Sequence, residues 1–98
     1  MKRLTNDEIL KYFVNNTYIS NKTDLTNNNN TIYCYYKDNT RYLVNYNTII
    51  SKVNTKENYK KIYINNKKYS HTTSKIQNKL LRLAQQNGFE IVQTEKDL

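Results

Sequence analysis

Five short segments between Thr31 and Ser70 alternate their side chains with a period of two, and a helical apolar pattern flanks them on each side. That switch of period constrains the fold more than any other feature of the 98 residues. Thr31–Tyr36 and Arg41–Tyr46 read as strands joined by Lys37-Asp38-Asn39-Thr40. Pairing Tyr36 with Arg41 sets Tyr35 opposite Tyr42, Cys34 opposite Leu43 and Tyr33 opposite Val44. One face then carries Tyr33, Tyr35, Tyr42, Val44 and Tyr46, and the other carries Ile32, Cys34 and Leu43. Alternation alone leaves open which face is core. Thr48–Val53 reads as a third strand, where the adjacent pair Ile49-Ile50 breaks the alternation and invites a bulge. Tyr59–Ile64 is a fourth. Asn65-Asn66 suits a two-residue turn, and Lys67–Ser70 is expected to return as a fifth strand of an antiparallel meander.

The flanking segments read as helices. Thr5 and Glu8 have the spacing of a capping box, and Leu4 and Ile9 that of a hydrophobic staple, at the start of a helix over Asn6–Val14. Tyr18-Ile19 reads as a short strand start, and Asn21–Asn30 as a polar loop with nothing to bury. Ile76, Leu80, Leu83 and Ala84 form one stripe of a second helix over Thr73–Asn87, with several hydroxyl side chains before it as candidate caps. Gly88, the single glycine, stands where a helix end needs a left-handed residue. Phe89–Val92 alternates briefly and reads as a last strand. The expected fold is therefore α+β and one domain: an N-terminal helix, an antiparallel sheet of four to five strands, a C-terminal helix and a short last strand. Both helices are expected on one sheet face.

Composition narrows the function classes. Apolar residues make up 37%, and ten of them are tyrosines, so the core is expected to be small. Cys34 is the only cysteine and His71 the only histidine, which removes internal disulfides and cysteine-based zinc sites. There is no glycine-rich phosphate loop, no apolar run of membrane-spanning length and no secretory-type stretch near Met1. The expectation is a non-enzymatic protein without metal or cofactor, with no small-molecule substrate inferred and no membrane partner. Seventeen Asn and thirteen Lys, against one Gly, one Ala and no Pro, point to a very A/T-rich genome. The expected location is the cytoplasm of a bacterial host cell.

The net charge of +8 is uneven. Residues 52–82 hold nine basic side chains against Glu57 alone, while the flanking segments cancel at +2 and −2. A/T-rich codons explain abundant lysine but not the shortage of acids in this block. Lys75, Lys79 and Arg82 recur at one helical stripe opposite the leucines. On the expected Tyr59–Ser70 hairpin, Tyr59, Lys61 and Tyr63 share a face, with Lys68 across from Tyr63 and with Ile62 and Tyr69 on the core side. Lysines neutralise phosphates and tyrosine rings stack unpaired bases, so the expected partner-binding residues are Lys60, Lys61, Tyr63, Lys67, Lys68, Lys75, Lys79 and Arg82.

Other candidates carry less. The hydroxyls and His71 at the start of the second helix could hold an anion, but capping by Thr72 or Thr73 is the simpler use. Asp7 and Glu8 diverge on a helix and complement its dipole rather than forming a catalytic pair. Cys34 belongs to the apolar strand face as a small core residue.

The segment Tyr69-Ser70-His71-Thr72-Thr73-Ser74-Lys75-Ile76-Gln77-Asn78-Lys79-Leu80 resembles one in small phage proteins of low-GC Gram-positive hosts. The resemblance implies a phage or mobile-element accessory protein. It would bind and inhibit or modulate a host nucleoprotein, such as a CRISPR effector or another defence nuclease. The alternative expectation is direct binding of DNA or RNA through the basic block 52–82.

Overall fold

The computed structural model describes residues 2–15, 25–27, 31–54, 60–96 and 98. The strands are β1 (Lys2–Leu4), β2 (Leu25–Asn27), β3 (Ile32–Lys37), β4 (Thr40–Asn45), β5 (Thr48–Asn54), β6 (Lys61–Asn65) and β7 (Glu90–Thr94), and the helices are α1 (Asn6–Asn15) and α2 (His71–Gln86). All seven strands join one sheet in chain order. The four inner pairings are antiparallel; β1–β2 and β6–β7 are parallel. The fold is α+β, as expected, with a mostly antiparallel sheet.

Two β-α-β units thus bracket a meander. A parallel neighbour needs a crossover, and α1 and α2 supply them. β1 and β6 run in the same direction, and both crossovers step the same way along the sheet. Right-handed connection then places both helices on one face. There α1 packs on β2 and β3, α2 packs on β6 and β7, and the helices touch each other. Between helices and sheet lies one core that includes Ile9, Leu10, Phe13, Ile32, Cys34, Leu43, Ile50, Ile62, Ile64 and Leu80.

Local signals position these elements. The capping box forms as read: Thr5 N donates to Glu8 Oε1 at 3.0 Å and Glu8 N to Thr5 Oγ1 at 3.2 Å. Asp38 (φ 52°) and Asn39 (φ 61°) make the two-residue β3–β4 turn, and the ladder follows the expected register. The bulge also appears at Ile49-Ile50, since Leu43 faces Ser51 while Val44 faces Ile49. It turns Ile50 into the core. At the end of α2, Phe89 N donates to the Ala84 carbonyl at 3.0 Å and Gly88 N to that of Gln85 at 3.2 Å. With Gly88 at φ 75°, this is a complete Schellman motif.

Several expectations are corrected. The sheet has seven strands rather than four to five, because β1, β2 and β7 all join it. Lys67–Ser70 is not a strand. β7 takes the free edge of β6 in parallel, so 66–70 climbs instead into α2. Asn65 starts the climb, its Oδ1 accepting from Lys67 N at 2.9 Å. Gln77 holds the climb by donating from Nε2 to the carbonyls of Asn65 and Lys67. Lys68 therefore does not face Tyr63, and Tyr69 is 39% exposed instead of lying on the core side. Tyr46 (φ 57°) sits in the β4–β5 turn and leaves the tyrosine face. α2 begins at His71, two residues early, because Ser70 rather than Thr72 or Thr73 is the cap: its side chain accepts from Thr73 N at 3.2 Å. Within Asn21–Asn30, Leu25–Asn27 is a strand. It is held less by apolar pattern than by hydrogen bonds. Asn27 donates to Asn6 Oδ1 (2.9 Å) and Thr31 Oγ1 (2.7 Å) and accepts from Thr31 N and Ile32 N. The readings at Tyr18-Ile19 and Tyr59 lie outside the described residues.

One buried residue does not follow from patterning. Arg41 is 3% exposed on the helix-side face of β4. Its Nε donates to the Phe13 carbonyl at 3.2 Å, in the last turn of α1. α1 has no basic residue in that turn. Arg41 thus supplies from the sheet the positive charge that a helix C-terminus favours. Burial pulls its pKa below the ordinary arginine value, opposed by the nearby Cys34 and Tyr36.

Candidate functional site

With both helices on one face, no described helix covers the other, where Tyr33, Tyr35, Tyr42, Lys52 and Tyr63 are half-buried and Val44 is buried. Strand alternation decides what stands there. Cys34, Leu43, Ser51 and Ile64 point into the core, so their neighbours Tyr35, Tyr42, Lys52 and Tyr63 point away from it. The register makes these neighbours one line: Tyr35 pairs with Tyr42, Tyr42 with Lys52, Lys52 with Tyr63, and Tyr63 with Val92. The line crosses five strands at right angles to their direction.

The rings and ammonium groups on this face interact. Tyr35 and Tyr42 stack with centroids 4.9 Å apart and planes 19° apart, and Tyr33 lies 6.2 Å from Tyr35. The Lys52 and Lys61 ammonium groups sit 5.3 Å and 5.4 Å from the Tyr63 centroid. Burial, followed by the neighbouring phenols of Tyr42 and Tyr33, raises the pKa of Tyr35. Between Tyr42 and Tyr63 lies a depression of about 260 Å³, lined also by Thr40, Lys52 and Asn54. The surface therefore offers π-faces, positive charge and neutral hydrogen-bonding groups within one row and its neighbour.

The residues singled out from the sequence do not form one patch. Lys61 and Tyr63 lie on the open face. Lys60 donates to the Asn87 carbonyl at 3.1 Å and sits 5.6 Å from the Phe89 ring, so it completes the C-terminus of α2. Lys67 and Lys68 are exposed on the climb, with the Lys67 ammonium 5.9 Å from the Tyr69 ring. Lys75, Lys79 and Arg82 are exposed on α2, on the opposite side of the sheet from Tyr63. There Lys79 pairs with Asp7 of α1 at 3.1 Å. Arg82, Lys79, Asp7 and Lys11 border a groove between the helices. The tyrosine face with Tyr35 and Tyr42 is the binding surface the sequence offers if that face is not core, and Lys52 belongs to the basic block, but Thr40 and Asn54 have no such signal. The Tyr35–Tyr42 pair was already present in the expected register; what was missing was the parallel β7, which decides the face that the helices cover.

Among the described residues, no group of three His, Cys, Asp or Glu side chains could hold a metal ion, and no helix is long and apolar enough to cross a membrane. No curated protein and no solved structure matches the chain. Residues 13–98 match a family model described as a family of unknown function, DUF8033, and by the extent of that match the chain belongs to this family.

Proposed function

We propose that the protein binds single-stranded nucleic acid across the open face of its sheet. The observation that carries this reading is the cross-strand line Tyr35–Tyr42–Lys52–Tyr63. Neighbouring strands lie about 4.8 Å apart, so Tyr42 and Tyr63 stand about 10 Å apart with Lys52 between them. Bases stack on the rings while the phosphates that link them meet Lys52 and Lys61. A duplex keeps its bases stacked on each other and offers such a face only its backbone, so the unpaired strand is the better ligand. The net charge of +8 adds a long-range attraction for any polyanion. On this reading Lys75, Lys79 and Arg82 contribute to that field from the far side but do not touch the strand.

The test compares the two sides of the molecule. Affinity for an unstructured oligonucleotide of about twelve nucleotides, a length within known site sizes, is measured for the wild type, Tyr42→Ala, Tyr63→Ala and the triple charge reversal of Lys75, Lys79 and Arg82 to Glu. Loss of a stacked base costs about 1–3 kcal/mol, so each tyrosine variant should bind about 5- to 150-fold more weakly. The triple reversal, which lowers the net charge without removing a contact, should weaken binding at low salt and lose most of that effect at about 0.15 M, where the Debye length is about 8 Å. Full affinity in both tyrosine variants, with binding abolished by the triple reversal, would move the site to the helices.

A further inference from the structure

Resting on this reading, we propose that the depression between Tyr42 and Tyr63 is a base-reading subsite, in which one unpaired nucleobase hydrogen-bonds to Thr40 and Asn54. The walls and floor come from two adjacent rows of the ladder. Thr40 pairs directly with Asn54 in one row, and Tyr42 with Lys52 and Lys52 with Tyr63 in the next. All five residues line the same depression of about 260 Å³.

The three demands of a bound nucleotide are met by three kinds of group. Tyr42 offers the base the ring face that is not stacked on Tyr35, and the Tyr63 ring, with the Lys52 and Lys61 ammonium groups beside it, forms the opposite wall. The Lys52 ammonium, 5.3 Å from the Tyr63 centroid, stands where it can meet the phosphate of that nucleotide. The base edge is left for Thr40 and Asn54. A hydroxyl both donates and accepts, and an amide does the same through separate atoms. Thr40 Oγ1 makes a long bond of 3.4 Å to the Asp38 carbonyl and keeps its acceptor capacity. The groove between the helices contrasts with this: Asp7, Lys11, Lys79, Arg82 and Leu83 offer charge without a ring. Stacking alone tolerates any base, whereas a hydrogen-bonding floor distinguishes them, so the face should show a base preference that a purely electrostatic surface lacks.

The experiment measures affinity for RNA homopolymers of about eight nucleotides made of uridine, cytidine or adenosine, at one salt concentration, with the wild type, Thr40→Val and Tyr63→Leu. The wild type should favour one homopolymer over the weakest by about tenfold or more. Thr40→Val, isosteric and suited to a strand, should cut affinity for the favoured homopolymer by at least about fivefold and bring the ratio to about threefold or less. Tyr63→Leu should weaken all three, and Lys75→Gln on α2 should preserve the ratio. Circular dichroism confirms that each variant is folded. Equal wild-type binding of the three homopolymers, or an unchanged ratio in Thr40→Val, overturns the subsite and leaves the strand-binding face standing. Failure of all three RNAs, and of the corresponding DNA homopolymers, to bind overturns both.

Discussion

Replacing Thr73 with Val should destabilise the protein out of proportion to one missing oxygen. Thr73 is 4% exposed in the first turn of α2. Its hydroxyl donates to Asn45 Oδ1 and accepts from the capping Ser70 hydroxyl at 3.1 Å. Asn45 is 2% exposed, and its Nδ2 donates to the Thr31 carbonyl at 3.1 Å. A chain of buried polar groups therefore ties the start of α2 to β4 and to the residue before β3. Valine fills almost the same volume, so no cavity opens. The cost is a carbonyl oxygen of Asn45 left buried without its donor, about 1–3 kcal/mol. In a domain of this size each kcal/mol lowers the melting temperature by about 4–8 °C, giving a fall of about 4–24 °C. Thermal unfolding followed by circular dichroism reads it. Thr72→Val, one position earlier and exposed, is the control and should stay within about 0.5 kcal/mol of the wild type. Combining Thr73→Val with Asn45→Ala should cost less than the two changes separately, because they break one shared bond. A Thr73→Val midpoint equal to that of Thr72→Val would refute the polar tie between helix and sheet.

Further outcomes follow from other positions. Leu80→Ala, fully buried against the sheet, should cost about 2–5 kcal/mol in denaturant unfolding, and an unchanged midpoint would contradict its packing. Gly88→Ala should cost about 1–2 kcal/mol through backbone strain alone, since φ is 75° and no atom lies within 4 Å of an added Cβ. Cys34, outside any disulfide and fully buried, should react with thiol reagents far more slowly in the native protein than in the unfolded chain; equal rates would contradict its place in the core. The raised pKa of Tyr35 means that the native state keeps that phenol protonated at a pH where the unfolded chain has lost the proton. Its contribution to stability is therefore intact below about pH 10 and declines as pH rises through the raised value. Absorbance titration should show a late-ionising phenol that Tyr35→Phe removes.

Local chemistry made much of the fold legible from the residues. Thr5 with Glu8, Asp38-Asn39 and Gly88 each declare a cap or turn by their own side chain or backbone freedom, and each forms where expected. The period of two gave the β3–β4 register residue by residue. Elements held by long-range polar contacts were not legible. β2 depends on Asn27 reaching Asn6 and Thr31, and the climb at 66–70 depends on Gln77 reaching back to it. Asparagine is so abundant here that no single one stands out in the sequence. Arg41 was opaque for a related reason, because its partner is a backbone carbonyl 28 positions away. The candidate site was half legible. Lys61 and Tyr63 were marked, but charge counted along the chain merged two faces that the β6–α2–β7 crossover separates. Tyr35, Tyr42 and Lys52 share a face with Tyr63 only through the register of three successive ladders.

The most direct test of strand binding on the open face is amide chemical-shift mapping of the isotope-labelled protein with an unstructured oligonucleotide. Shifts should concentrate at Tyr35, Tyr42, Lys52 and Tyr63, spread to Thr40 and Asn54, and leave Lys75, Lys79 and Arg82 near their free positions. Shifts confined to α2 and the groove it forms with α1, or no shifts at low salt, would contradict it.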